Sequence, residues 1–136
     1  MNKRTMFRIY SVLFAVGGLF WWPLSHWLYP DWYHNFLGFD VLTTGEYAMA
    51  KTIGTLAFLP VLGMVLIARH PERNRDFFVG VLILSLLMVG TYVYLIATGD
   101  FPSGEWLNVG LISMNVAVSC WLYPWRASAA TARAAA

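Results

Sequence analysis

The stretch that decides the fold is FFVGVLILSLLMVGTYVYLIATG, Phe77 to Gly99, which holds no Lys, Arg, Asp or Glu. A hydrocarbon core of ~30 Å needs about 20 mostly apolar residues to be crossed as an α-helix. Phe77 to Gly99 meets that length. Working outward, three more runs do. Thr52 to Ala68 is uncharged, and Tyr47 to Ala50 extend it past Lys51; Ile9 to Tyr29 and Trp106 to Trp125 are uncharged as well. The sequence predicts an all-α integral membrane bundle of four transmembrane helices, at about 9–29, 47–68, 77–99 and 106–125. It is read as one domain with a frayed, small-residue tail over 127–136. Lys3, Arg4 and Arg8 before the first run resemble the start of a signal peptide. Trp21, Trp22 and Trp27 leave no small-residue cleavage site there, so the segment is read as retained.

Composition agrees. Hydrophobic residues make up 59% and charged residues 12% of the 136 residues, against about 45–50% and about 25% in soluble domains. So little charge cannot hydrate a globular surface, which excludes a soluble enzyme domain and a disordered tail. A formal charge of +2 is too small and scattered for nucleic acid. The lone Cys120 can close no intramolecular disulfide and build no thiolate metal site by itself.

Orientation follows from the loops. Lys3, Arg4, Arg8, Arg69, Arg73, Arg75, Arg126 and Arg133 all fall on one side of the spans, leaving only Lys51 elsewhere. The positive-inside rule makes that side, and both termini, cytoplasmic. Asp31, Asp40, Glu46, Asp100 and Glu105 fall on the other. Trp21, Trp22, Trp27, Trp32 and Trp106 gather at the outer boundary and Trp121 and Trp125 at the inner one, as amphipathic indoles do where lipid meets headgroup. Thr43 and Glu46 have capping-box spacing, which starts span two near Thr44. Asp76 and Ser103 are placed to cap spans three and four. The segment PDWYHNFLGFDVLTT, Pro30 to Thr44, is too apolar for a free loop and is expected at the membrane surface or over the bundle mouth. Ala50 and Gly54, Gly17 with Gly18, and Gly90 are small residues that let backbones approach. Pro60 removes the helical partner of the Leu56 carbonyl and should face protein.

Few side chains carry candidate chemistry. Lys51 lies about one turn inside the outer end of span two. It can snorkel to headgroups, pair with Glu46, Glu105 or Asp100, or contact a ligand or partner. Asn108 and Asn115 are seven residues apart, and Ser119 continues their face. An amide in hydrocarbon needs a partner, so this stripe meets another helix, a partner protein or a polar cavity. His26 and His34 are polar residues of the outer surface, where hydrogen bonding accounts for them better than a metal or haem iron does. No catalytic set and no metal site is expected. No cofactor is predicted, bound lipid is expected, and a haem or pigment contact has nothing to support it.

The span beginning AKTIGTLAF at Ala50 runs into ARHPERNRDFF, ending at Phe78. With four short spans, an aromatic outer loop and a polar fourth span, this layout resembles the small BphX-like and DoxX-like bacterial membrane proteins. The resemblance covers most of the chain in layout and carries no functional residue across. It implies an accessory membrane protein of the bacterial inner membrane, some members being encoded beside oxidative or hydrocarbon-degradation enzymes. Two functions stay open: a non-catalytic accessory subunit of a respiratory, photosynthetic or oxygenase complex, partnered by other integral membrane proteins and lipids, or a binder or carrier of a small hydrophobic compound.

Overall fold

The computed structural model describes residues 2–40 and 42–125; Arg126, Arg133 and the tail expected over 127–136 lie outside them. The described residues form helices joined by short connections, with no strand among them. Helix α1 (Lys3–Leu19) starts on Asn2, whose side chain accepts from the Thr5 N–H at 2.9 Å. It passes through a π-helical turn, Phe20–Leu24, into α2 (Ser25–Leu28). Then come α3 (Pro30–Leu37), α4 (Thr44–Arg69), α5 (Arg75–Thr98) and α6 (Trp106–Leu122). Three helical runs, Lys3–Leu28, Thr44–Arg69 and Arg75–Thr98, are long and apolar enough to cross a membrane.

Local chemistry sets most boundaries. Thr43 and Glu46 form the full capping box at the start of α4. Gly38 and Gly99 end α3 and α5 in the left-handed region, with φ of 95° and 82°. Two expected caps are not made. The N-cap of α5 is Asn74, with Asp76 inside the first turn, and the Asn74 side chain donates to the Leu66 and His70 carbonyls instead. The N-cap of α6 is Glu105, and Ser103 opens a 3-10 turn, Ser103–Glu105, with no capping bond. Helix α6 also stops at Leu122, short of Trp125, because Pro124 drives Tyr123 into an extended conformation.

The four long elements pack in a ring, α1 on α4, α4 on α5, α5 on α6 and α6 on α1. One end is basic and tied together. Arg8 donates to the Ala68 and Arg69 carbonyls at 2.9 and 2.6 Å, Arg4 pairs with Glu72 at 3.0 Å, and Lys3 donates to the Trp121 carbonyl. Beneath it Phe78 stacks on Tyr123 at 4.1 Å, with Phe7 edge-on to both. The opposite, acidic end is covered by α3, whose Tyr33 and Leu37 are buried while Trp32 and Phe36 stack on its outer face.

Small residues set two close approaches. A Cβ on Gly54 would lie 2.8 Å from His26 Cβ, so α2 crosses α4 at the Ala50–Gly54 step. A Cβ on Gly104 would lie 2.0 Å from the Leu37 carbonyl oxygen, so the end of α3 rests directly on the 3-10 turn. Gly17 and Gly90, in contrast, face open space and bring no backbones together.

Candidate functional site

The polar stripe of α6 points into the bundle. Asn108, Asn115 and Ser119 are 0%, 5% and 1% exposed, and their hydrogen bonds run to α1, α3 and the 3-10 turn of the same chain. Asn108 uses both ends of its amide. Its Oδ1 accepts the indole N–H of Trp21 at 2.8 Å and of Trp22 at 3.2 Å, while Nδ2 donates to Tyr33 Oη at 2.9 Å and Glu105 Oε2 at 2.6 Å. On a regular helix, consecutive side chains diverge by about 100°. The π-helical turn that begins at Phe20 and contains Pro23 is what lets adjacent indoles converge on one oxygen.

Glu105, expected among the acids of the outer side, is buried and only 4% exposed. Burial raises its carboxyl above the usual range, and the bond from Asn108 pulls the other way. Burial also pushes up the Tyr33 phenol beside it. The i, i+3 spacing of Glu105 and Asn108 was the available signal, since it sets both on one helical face.

His26 is buried, with Nδ1 2.7 Å from the Trp22 carbonyl and its ring 4.5 Å from the Tyr33 centroid. His34 Nδ1 lies 2.8 Å from the Pro30 carbonyl, and the two imidazoles meet edge-on at 5.4 Å. Both rings therefore tie the lid helix α3 to α2. Among the described residues no group of three or more His, Cys, Asp or Glu is placed to hold a metal ion. Lys51 is exposed, its Nζ 5.8 Å from the Trp27 ring centroid, and among the described residues it forms no ion pair. It is not gathered with the asparagines.

Towards the basic end from this cluster, a cavity of about 390 Å³ lies between α1, α4, α5 and α6. Phe14, Leu56, Pro60, Met64, Leu84 and Met88 line it, with Trp22, Ser85, Tyr92 and Asn115 as the polar contributors. Gly63 packs closely on Phe77, holding α4 and α5 together near their hairpin. Farther along, the exposed Leu56 and Leu59 of α4 and Leu84 of α5 border the cavity, so it opens sideways between those helices. Pro60 lies on its wall, as a residue expected to face protein.

Asn115 joins the cavity to the stripe. Its Oδ1 accepts from Tyr10 Oη at 3.0 Å and Ser119 Oγ at 3.2 Å, while among the described residues its Nδ2 has no acceptor. Ser85 Oγ already donates to the Val81 carbonyl at 2.8 Å. The arrangement suits reversible binding of an apolar molecule with one polar anchor. No protein-family model matches the chain, and no curated protein or solved structure does either.

Proposed function

We propose that this chain binds a small hydrophobic compound within the bilayer, as a non-catalytic binder or carrier. The observation that supports the reading is the cavity itself. Its volume falls in the range of small-molecule sites, which are mostly apolar with a few placed polar groups. Its opening between α4 and α5 faces where lipid would lie, which suits a compound arriving from the membrane rather than from water. The proposal includes four spans in the bacterial inner membrane, with the basic end in the cytoplasm by the positive-inside rule. Helix α6 has 17 residues, about 26 Å at 1.5 Å each, which nearly spans the ~30 Å core.

The test fills the cavity. Ala57 lines it and is half-buried, so Ala57→Phe should abolish saturable binding of ethylnaphthalene to the protein in nanodiscs, with empty nanodiscs subtracted. Unchanged binding in the variant would put the probe elsewhere and sink the reading.

A second reading, an accessory subunit of a larger membrane complex, draws on α5. Only 11% of its most apolar window is buried, against 28% and 33% in the other two long runs. Comigration with a large complex on native gels of mild detergent extracts would favour this reading; a free small particle would remove it.

A further inference from the structure

We infer that the ligand of this cavity is an uncharged lipophile bearing a carbonyl-type hydrogen-bond acceptor, anchored on Asn115 Nδ2; the inference rests on the cavity being a binding site. Of the polar groups that line it besides Asn115, Tyr92 makes no hydrogen bond among the described residues and interacts with the Glu105 carboxyl at the acidic end, and the others are committed. Ser85 Oγ donates to its own helix, Trp22 Nε1 donates to Asn108, and Tyr10 and Ser119 both donate to Asn115 Oδ1. What Asn115 still offers is a donor. Its oxygen already accepts two bonds, so a ligand group that can only donate gains nothing there, and an alcohol gains only through its oxygen.

The charge of the ligand follows from the wall. Among the described residues no Asp, Glu, Lys, Arg or His lines the cavity. An ionised group would be desolvated there without a counter-ion, at a cost far beyond what the apolar contacts return. Depth separates a free lipophile from a membrane phospholipid. Asn115 lies nine residues into α6, which begins at Trp106, about 14 Å from the helix start. A phospholipid keeps its ester carbonyls near the interface, and only hydrocarbon reaches this depth. An acyl chain would fill the space and leave Nδ2 unpaired. A compact ketone, aldehyde or similar carbonyl compound fills the space and satisfies the donor.

The experiment compares acetylnaphthalene with ethylnaphthalene, which has two hydrogens where the ketone has its oxygen. Radiolabelled probes are titrated onto the protein in nanodiscs, with empty nanodiscs subtracted for partitioning. One hydrogen bond should favour the ketone by about threefold to tenfold. Asn115→Leu should weaken that preference, read as the ratio of the ketone's affinity to the hydrocarbon's in the same variant. The carbonyl stretch of the ketone bound to the wild-type protein should fall below its value in hydrocarbon solvent, a readout that needs no variant. Equal wild-type affinities with an unshifted stretch would overturn the carbonyl class and leave the cavity reading standing. Preference for naphthylethanol over the ketone would overturn it too. Saturable binding of neither probe would overturn both.

Discussion

Glu105 Oε2 accepts a 2.6 Å hydrogen bond from Asn108 Nδ2, one turn further along the chain, and both residues are buried. Among the described residues Glu105 has no basic partner; its neighbours are the amide and the hydroxyl-bearing rings of Tyr33 and Tyr92. Burial without a basic partner favours the protonated form of this carboxyl in the folded state, against the opposing pull of the Asn108 bond.

That preference sets a pH dependence. The folded pKa of Glu105 is raised by burial, so the unfolded chain loses this proton at a lower pH than the folded one. The stabilisation is fully present below the unfolded carboxyl pKa, about 4.3, and is lost as pH rises through the folded value. Glu105→Gln keeps an uncharged, hydrogen-bonding side chain at all pH values. Melting temperatures in detergent should therefore fall less for the variant than for the wild type as pH rises above ~4.3. Parallel profiles for the two proteins would remove Glu105 from the stability of this end.

The two asparagines differ in what they leave behind. Asn108→Leu strands two indole N–H groups, the Tyr33 hydroxyl and the Glu105 carboxyl at a site closed to water, for an expected loss of roughly 3 kcal/mol. Asn115→Leu frees two hydroxyls, Tyr10 and Ser119, beside a cavity, and membrane-helix hydrogen bonds of that kind are worth about 1 kcal/mol. Denaturant titrations of both variants check the order. Equal losses would mean that Asn108 is not the centre of the acidic end.

How much of this was legible in sequence divides along local and tertiary lines. The uncharged run Phe77–Gly99 and the Thr43–Glu46 pair act within a few turns of their own chain, and α5 and α4 begin and end close to where those signals place them. The shared face of Asn108, Asn115 and Ser119 follows from helical period alone. Glu105 was not legible as a buried group, because its burial depends on α3 folding back over the mouth. The convergence of Trp21 and Trp22 requires the π-helical turn around Pro23, a proline inside an otherwise uninterrupted apolar run. The cavity depends on how side chains of α1, α4, α5 and α6 meet in three dimensions, and spacing along the chain carries no such information.

Two glycines predict opposite outcomes for one substitution. Gly104→Ala forces a methyl into the Leu37 carbonyl, at 2.0 Å, so α3 must lift from the 3-10 turn. Gly90→Ala meets nothing within 4 Å inside α5 and should be neutral or gain up to ~1 kcal/mol of helix propensity. Hydrogen exchange across α3 should rise in the first variant and stay unchanged in the second. If Gly104→Ala left α3 as protected as before, α3 would not rest on that turn.

Orientation is the last prediction, and cysteine labelling reads it. The free Cys120 is half-buried, so the background chain carries Cys120→Ala. Ser103→Cys then marks the acidic end and Arg73→Cys the basic end; both positions are exposed and neither side chain is hydrogen-bonded to another described residue. Six basic side chains among the described residues, Lys3, Arg4, Arg8, Arg69, Arg73 and Arg75, sit at one end of the bundle, and retention of such charges in the cytoplasm sets topology. In intact cells with a permeable outer envelope, a membrane-impermeant maleimide should label Ser103→Cys and spare Arg73→Cys until the inner membrane is opened. The opposite pattern would invert the bundle and set the basic end outside. Labelling of both before opening would mean that the hairpin between α4 and α5 does not lie across the membrane from the 3-10 turn, and the four-span reading would fall with it.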